Sequence, residues 1–574
     1  MAFLQNRLTK NVLLYAFLTA AILLPRIVEL DRFVTVDEPV WITHSANFYY
    51  ALGQRDLAST FQEYHPGVPI MWTGMTAMLV YFPEYRALEQ GYLHALHFSD
   101  FLTENGQEPL AYLALSRTFL VLVITIALLM CFAAARRLLG DTLALAAFLL
   151  IAFDPFHIGH SRLMTQEGLF SVFILLSLLS LLAYLLKGRQ LPMLLLAGAA
   201  AGLAALTKSP GIILIPFTGL LLFLDLINDW RSQRERSMRE KLAAAARRQA
   251  QPFLLWSLSA VITYFALWPA MWVAPLETFQ KVYGAAANYV TTGGKFNTPD
   301  EGYSLALLRF NPAGFLNGLL WHTTPAQWAG FLLAAFSLPA LYRRKDWLKF
   351  NTIAAFTLFA ALFILMMSAT RSASYTRYIM SAFLSLDIIT ALGIAAAADW
   401  VRQRFPRARG GRVFPALAVV FLTVQAFAST SAYPYYFNYY NPLLGGGRLA
   451  PERTMVGYGE VLDQAGRYLS QKPNAEELSA MSWFPVGPFS YFFAGETEPI
   501  FVGFQWTQEK ADVLKTLDYL LIYVGNDQRG ETRELVASLE GVTPAHIIVV
   551  NEIEYVKIYK VSELPDEVFV VPET

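Results

Sequence analysis

The sequence predicts a polytopic α-helical membrane protein with about eleven spans and a C-terminal α/β domain outside the cytoplasm. Of its 574 residues, 55% are hydrophobic and 15% are charged, and the mean hydropathy is +0.40. A soluble chain of this length carries roughly a quarter charged residues, and the deficit here comes from long apolar runs. Basic residues are also concentrated in alternate loops between these runs, as in multi-pass membrane proteins.

The first apolar run, residues 12–28, follows Arg7 and Lys10. It is long, and no clean small-x-small cleavage site follows it, so we interpret it as an uncleaved first span. The single cysteine, Cys131, lies in a later run, which excludes an intrachain disulfide. Ten further segments are of membrane length, at 111–134, 142–156, 166–186, 191–207, 210–227, 253–273, 326–342, 350–369, 378–397 and 413–431.

The basic residues indicate the orientation of these spans. They cluster at residues 136–137, 187–189, 228–252, 343–345 and 402–412. With eleven spans all five clusters fall on one side, which the positive-inside bias identifies as the cytoplasm. We therefore expect a multi-pass protein of the cell membrane (plasma or inner membrane), with a cytoplasmic N-terminus and an extracytoplasmic C-terminal domain.

The outer side receives the loop 30–110, in which the apolar segment 70–81 is typical of an interfacial helix. After residue 431 the pattern changes to that of a soluble α/β domain. We predict helices at 459–469, 508–517 and 532–539, strands at 499–503 and 519–523, and a terminal hairpin at 546–550 and 555–561. The chain thus divides into a membrane module, 1–431, and an extracytoplasmic domain, 432–574.

Several ionisable residues lie at the predicted outer ends of the spans. Asp37 and Glu38 follow the first span, and neither an anchor nor a channel scaffold requires two adjacent carboxylates there. Ionisable groups near the hydrocarbon boundary are costly and usually have a partner or a task. The other candidates are His65, Arg162, Glu167, Lys208 and Arg377.

Structural roles are the alternative for these residues. Lys208 and Arg377 are placed to snorkel to lipid headgroups, and Glu167 is placed to form a salt bridge with Arg162.

The set also fits a reaction at a sugar carried on a polyprenyl phosphate. Phosphate is a good leaving group, so one carboxylate suffices, as the base that removes the proton of an acceptor hydroxyl. We expect Asp37 to be this base, with Glu38 orienting the acceptor or supporting Asp37, and in-line attack to invert the anomeric centre. Lys208, Arg377 or Arg162 near the phosphate would favour its departure.

Four short motifs resemble those of a known family and occur in the same order. They are Asp37-Glu38, Ser161-Arg162 with Glu167, Thr207-Lys208-Ser209-Pro210-Gly211 and Thr376-Arg377-Tyr378-Ile379. Over about residues 10–400 the chain is similar to the protein O-mannosyltransferase and lipid A aminoarabinose transferase superfamily, prokaryotic type. This resemblance implies a GT-C fold and a mannosyltransferase-like glycosyltransferase that uses polyprenyl- or dolichyl-phosphate sugars, in protein glycosylation or in the cell envelope.

The resemblance also implies roles for single residues. Asp37 matches the catalytic base of the family, and Glu38 matches its acidic neighbour. Arg162 and Glu167 match a motif at the luminal end of the fourth span, and Lys208 matches a lysine near the lipid phosphate.

Two positions depart from the family pattern. Glu167 stands where an aspartate is commoner. Tyr64-His65-Pro66-Gly67 stands where aminoarabinose transferases have Lys-Pro-Pro, and we interpret His65 as a donor contact in its place.

Other functions remain open at this stage. The main alternative is a transporter or flippase for a lipid-linked or sugar substrate, although transporters place ionisable groups near the midplane and show two similar halves. A non-catalytic scaffold would tolerate the loss of Asp37 and Glu38. An oligosaccharyltransferase would carry a Trp-Trp-Asp-Tyr-Gly motif, which this sequence lacks.

The expected partners are a polyprenyl-phosphate-linked sugar donor, a protein, lipid or glycan acceptor and the bilayer, with no nucleic acid. His157 and His160 are spaced to share a metal, but this spacing favours an interfacial pair without one. No metal site or cofactor is predicted. A divalent metal is compatible with the reaction, but no ligand pattern indicates it.

Overall fold

The computed structural model describes residues 2–232, 246–292, 310–370, 374–405, 411–484, 486–500, 504–530 and 532–571. A large bundle of helices is followed by a smaller part that contains a β-sheet. This arrangement confirms the predicted fold class. Portions of four predicted segments lie outside the described residues: 233–245 of the basic segment 228–252, 293–309 of the loop between the seventh and eighth predicted spans, 406–410 of the basic cluster 402–412, and 501–503 of a predicted strand.

Every apolar segment predicted to be a span overlaps a helix. The described helices before residue 432 are α1 Ala2–Ile27, α2 Glu38–Gly53, α3 Val68–Tyr81, α4 Ala95–Glu104, α5 Pro109–Leu139, α6 Asp141–Ala152, α7 Pro155–Ser161, α8 Gln166–Leu186, α9 Leu191–Thr207, α10 Leu214–Ser232, α11 Gln251–Ala266, α12 Ala270–Val273, α13 Pro275–Thr292, α14 Pro312–His322, α15 Pro325–Arg343, α16 Trp347–Ala369, α17 Met380–Arg404 and α18 Val413–Ser431.

Seven helical segments among the described residues are long and apolar enough to cross a membrane. They are Thr9–Ile27, Pro109–Leu139, Gln166–Leu186, Ser209–Ile227, Trp347–Ala369, Thr376–Arg404 and Val413–Ser431. An eighth results if α6 and α7, which meet at a bend of 67°, are one broken span. The protein is therefore a multi-pass membrane protein.

The predicted count of eleven spans stays a prediction. Its other three segments correspond to α9, α11 and α15. The 17 residues of α9 rise only about 26 Å, which is less than the roughly 30 Å hydrocarbon core of a bilayer.

The centre of the bundle is built from helices that are apolar on all sides. In the most apolar 18-residue stretch of α8, 89% is buried inside the protein, as expected for a helix surrounded by other helices. Two glycines four residues apart in α9 allow a close approach to α11. A Cβ at Gly198 would lie 2.3 Å from the Trp256 carbonyl oxygen, and one at Gly202 would lie 2.4 Å from that of Ala260. Larger residues there would push the two helices apart.

The chain after Ser431, called the C-terminal domain below, contains a five-stranded sheet of order β2-β1-β3-β5-β4. Strand β1 pairs parallel with β2 and β3, whereas β5 pairs antiparallel with β3 and β4. The strands are β1 Ser479–Trp483, β2 Glu496–Ile500, β3 Tyr519–Tyr523, β4 His546–Val550 and β5 Ile553–Lys560. The helices are α19 Gly446–Arg453, α20 Leu462–Ser470, α21 Gln508–Lys515, α22 Val524–Arg529 and α23 Arg533–Ser538.

Most of these elements confirm the predicted pattern, and β1 is the strand that the sequence reasoning missed. Its Ser-Ala-Met-Ser-Trp stretch lacks the β-branched residues that mark a buried strand. The predicted strand at 499–503 begins earlier, at Glu496.

The C-terminal domain packs on the chain that leaves α1. The Val36 amide donates to the Tyr458 carbonyl oxygen at 3.2 Å. In α4, the Ser99 hydroxyl lies 2.6 Å from the Tyr491 hydroxyl. The first contact attaches the chain before α2 to the C-terminal domain, and the second attaches α4 to it.

Candidate active site

Asp37 stands immediately before the first turn of α2. Its side chain makes no capping hydrogen bond to that helix. The helix dipole favours a negatively charged group at this position, and α2 itself occupies neither carboxylate oxygen. The carboxylate is therefore directed towards other elements.

Glu38 is completely buried, and both of its carboxylate oxygens accept hydrogen bonds. Arg117 donates from Nε to Oε1 at 2.7 Å and from Nη2 to Oε2. The Thr35 amide and hydroxyl each donate to Oε2 at 2.9 Å, and the Met164 amide donates to Oε1 at 2.8 Å. These five bonds compensate the buried charge. Of the two roles predicted for Glu38, this geometry fits that of supporting Asp37. Both carboxylate oxygens are already occupied, so neither is available to orient an acceptor.

Asp37 is held through one oxygen and open at the other. Its Oδ2 accepts from the Tyr458 hydroxyl and, at 3.4 Å, from Arg377 Nη2. No group among the described residues donates to Oδ1, and 40% of the Asp37 side chain is exposed. One face of the carboxylate is thus fixed while the other is accessible.

A second ion pair lies beside the first. Lys208 Nζ is 2.8 Å from Glu167 Oε1, and both side chains are more than nine-tenths buried. Tyr378 joins the two pairs, because its ring centroid is 4.5 Å from Lys208 Nζ and 5.2 Å from the Arg377 guanidinium carbon. We call Asp37, Arg377, Glu167 and Lys208 the charged cluster.

His65 lies next to this cluster. Its Nδ1 is 2.9 Å from the Ser209 hydroxyl, one residue after Lys208. The Gly67 amide donates to the Thr207 carbonyl oxygen at 3.1 Å, so the two turns pack together. Gly67 has φ +59°, and a Cβ there would lie 2.1 Å from the Trp41 ring. A glycine is required for this approach.

Arg162 is directed elsewhere. Its Nη2 donates to the carbonyl oxygens of Val28 and Glu29, the latter at 2.8 Å. Its guanidinium carbon lies 5.6 Å from the Tyr436 ring centroid. The structure therefore pairs Glu167 with Lys208 and not with Arg162, which corrects the salt bridge considered from the sequence. The contacts of Arg162 fix the chain that leaves α1.

The two histidines of α7 have separate surroundings. Arg26 Nη2 lies 3.1 Å from His157 Nδ1, whereas the His160 ring stacks on Phe437 at 5.3 Å. Within the described ranges, no group of three or more His, Cys, Asp or Glu side chains is arranged to hold a metal.

Two carboxyl groups of the C-terminal domain are buried near the site. The Tyr458 amide and the Tyr523 hydroxyl donate to Glu460 Oε2, and burial raises the pKa of Glu460 to about 7. The Tyr435 hydroxyl donates to Asp463 Oδ1 at 2.8 Å, and burial raises the pKa of Asp463 to about 6. Of the two, Glu460 contacts the turn that carries Tyr458 and helps to fix it.

Sequence reasoning missed Arg117 and Tyr458. Arg117 lies within an apolar run, where a charged residue signals a buried partner. Tyr458 stands between Gly457 and Gly459, whose φ angles of +96° and +102° favour glycine. This Gly-Tyr-Gly stretch marks a tightly specified turn, but it does not reveal which element the tyrosine contacts.

Residues 113–256 match the model of the family described as dolichyl-phosphate-mannose-protein mannosyltransferase. Residues 113–256 are therefore similar to this mannosyltransferase family. The matched segment contains Arg162, Glu167 and Lys208, whereas Asp37, His65 and Arg377 lie outside it. The match supports the predicted resemblance to the protein O-mannosyltransferases and the prediction of a glycosyltransferase.

Solved structures with similar architecture are distant. ArnT from Cupriavidus metallidurans in the apo state has a TM-score of 0.43 and 13% identity, over 99% of this chain and 100% of that one. AglB from Archaeoglobus fulgidus, in complex with an inhibitory peptide and a dolichol-phosphate, has a TM-score of 0.43 and 13% identity, over 90% of this chain and 69% of that one. The Pmt1-Pmt2 complex of S. cerevisiae has a TM-score of 0.34 and 17% identity, over 50% of this chain and 37% of that one. No functional conclusion follows from similarities this weak. No curated protein matches the chain.

Proposed function

We propose that this protein transfers a sugar from a polyprenyl-phosphate donor to an acceptor hydroxyl, with inversion at the anomeric carbon and Asp37 as base. The reaction takes place on the extracytoplasmic side. In support, Arg117 and Arg377 lie near the starts of α5 and α17, whereas the basic pairs 136–137 and 402–404 lie at the opposite ends of the same helices. The positive-inside bias assigns those opposite ends to the cytoplasm.

The observation that carries this proposal is the open oxygen of Asp37. The acceptor hydroxyl binds at Oδ1, gives its proton to that oxygen and attacks the anomeric carbon. The bond between the anomeric carbon and the phosphate oxygen breaks, and the lipid phosphate leaves with the electron pair. Because Oδ2 is fixed by Arg377 and Tyr458, the basic oxygen keeps one orientation during the attack.

Lys208 and Arg377 provide the contacts to the donor phosphate. An ammonium group has three donors, and among the described residues only Glu167 accepts from Lys208 Nζ. Arg377 Nε is buried, and no described group accepts from it. Both cations therefore retain donors for phosphate oxygens, and their charge favours the departing phosphate more than the bound phosphodiester. Glu167 holds Lys208 in position, and His65 lies beside it.

The test uses purified full-length protein with radiolabelled polyprenyl-phosphate sugars and candidate acceptors. We expect Asp37→Asn to bind donor but to transfer sugar at least about a hundredfold more slowly, because the amide cannot accept the proton. Asp100→Asn is the matched control, since Asp100 is an exposed carboxylate on α4 of the same loop. Normal transfer by Asp37→Asn would exclude Asp37 as the base.

Lys208→Ala tests the phosphate contact. We expect it to weaken the use of donor at least about tenfold, equivalent to about 1.4 kcal/mol. Glu167→Gln keeps the cation and serves as the comparison, with a smaller change in the donor KM. A donor dependence of Lys208→Ala equal to that of the wild type would remove Lys208 from the phosphate site.

A further inference from the structure

The carboxylate of Asp37 lies where two parts of the chain meet. Arg377, which donates to Oδ2, precedes α17 of the helix bundle, whereas Tyr458, which donates to the same oxygen, belongs to the C-terminal domain. The two donors are also in contact, because the Arg377 guanidinium carbon lies 4.0 Å from the centroid of the Tyr458 ring. The surroundings of Asp37 are therefore complete only when the C-terminal domain is in place.

We propose that Tyr458 is a positioning residue for Asp37, so that the C-terminal domain supplies one wall of the catalytic site. The proposal rests on the function proposed above, in which Asp37 is the base. It adds a specific task for the C-terminal domain, which is to orient Asp37 so that Oδ1 faces the acceptor.

The position of Tyr458 is fixed on both sides of its backbone. Its carbonyl oxygen accepts from the Val36 amide, next to Asp37, and its amide donates to the buried Glu460. The next amide, that of Gly459, donates to the Tyr523 hydroxyl at 3.1 Å. Only 4% of Tyr458 is exposed. A side chain held in this way loses little further freedom when it binds a carboxylate.

The Tyr458 hydroxyl acts as a donor. Burial, with a further contribution from the charge of Asp37, raises the pKa of Tyr458 well above its usual range, so the phenol stays protonated. A hydrogen bond to a carboxylate favours the ionised form. Loss of the hydroxyl therefore removes one of the two donors to Oδ2 and frees the Asp37 side chain to rotate.

Other charged groups around this contact must remain unchanged in a test. Arg377 faces Asp37 directly. Glu167, Lys208, Tyr378 and His160 surround Arg377 and Tyr458. A variant that removes only the Tyr458 hydroxyl leaves all of these side chains in place.

The experiment compares Tyr458→Phe with Tyr491→Phe in the full-length protein. Tyr491 is a matched control, because it too belongs to the C-terminal domain and its hydroxyl contacts the loop before α5, at Ser99. For Tyr458→Phe we expect kcat to fall about tenfold, the size expected for one hydrogen bond to a charged group, with little change in the donor KM. Tyr491→Phe should not show this fall in kcat.

A second readout does not depend on transfer. Infrared spectroscopy follows the carboxylate stretching band of Asp37, which is assigned by Asp37→Asn. We expect this band to change frequency in Tyr458→Phe, which removes a hydrogen bond to Oδ2, and to keep its frequency in Tyr491→Phe. If the band changes but no polyprenyl-phosphate sugar is used by the wild type, the proposed function fails and the link between Tyr458 and Asp37 stands. If the band is the same in both variants, Tyr458 does not position Asp37 and the inference is overturned.

Discussion

Removal of the Arg117 guanidinium should destabilise the protein strongly, because it leaves the Glu38 carboxylate buried without its ion-pair partner. We consider Arg117→Met, which keeps an unbranched apolar side chain within α5. The variant loses two hydrogen bonds to Glu38 and one to the Leu30 carbonyl oxygen. Three donors to Glu38 remain, from the amide and hydroxyl of Thr35 and the amide of Met164.

The expected size of the effect follows from these contacts. Breaking a buried ion pair by removing one partner costs about 3–5 kcal/mol. Because three donors still contact the carboxylate, we expect the lower end, about 3 kcal/mol. An exposed pair is worth under about 1 kcal/mol. Lys557→Met is therefore the control, since Lys557 and its partner Glu554 have side chains that are 43% and 56% exposed.

The measurement is the free energy of unfolding of full-length protein, titrated with a denaturing detergent in mixed micelles. Arg117→Met should be less stable than Lys557→Met by at least about 2 kcal/mol. It should also transfer sugar more slowly, because Glu38 holds the start of α2 and with it Asp37. Equal free energies of unfolding for the two variants would show that the buried Glu38 carboxylate does not need Arg117 as a partner, and would refute this reasoning.

Two further predictions concern the turn that carries Tyr458. Burial raises the pKa of Glu460 from 4.5 to about 7. The free energy of unfolding that this buried carboxyl costs the protein therefore grows as pH rises from about 4.5 and reaches its full size above about 7. Glu460→Gln should therefore raise the melting temperature relative to wild type at pH 8 and not near pH 4.5, and a constant difference would contradict this. A Cβ at Gly459 (φ +102°) would lie 2.9 Å from Pro488, whereas at Gly541 (φ +82°) it would meet nothing within 4 Å. Gly459→Ala should thus slow transfer more than Gly541→Ala, and equal rates in the transfer assay would show that the turn tolerates the clash.

The helices could be predicted from sequence because each apolar run carries its own signal. A run such as 166–186 is rich in Leu, Ile, Val and Phe, and its burial on all sides follows from that composition. Strand β3 was predictable for the same reason. Strand β1 was not, because its burial is imposed by the neighbours β2 and β3 and not by its own residues.

The charged cluster was predictable in part. The sequence predicted Asp37, Glu167, Lys208 and Arg377 at the outer ends of the spans, and the structure brings them together. The choice of partners was not predictable, since Glu167 had Arg162 nearer in sequence than Lys208. The contact between Asp37 and Tyr458 joins residues 421 positions apart, and no local pattern encodes such a distance.

The hydrogen bond from the Met164 amide to Glu38 fixes two helices of the site relative to each other. Met164 is three residues before Glu167, so this bond couples the start of α2, which carries the proposed base Asp37, to the start of α8, which carries the partner of Lys208. The spacing between Asp37 and Lys208 is then set by contacts within the protein and not by the thickness of the bilayer. A lipid-linked donor whose phosphate lies above or below this level in the bilayer must itself move to reach both residues.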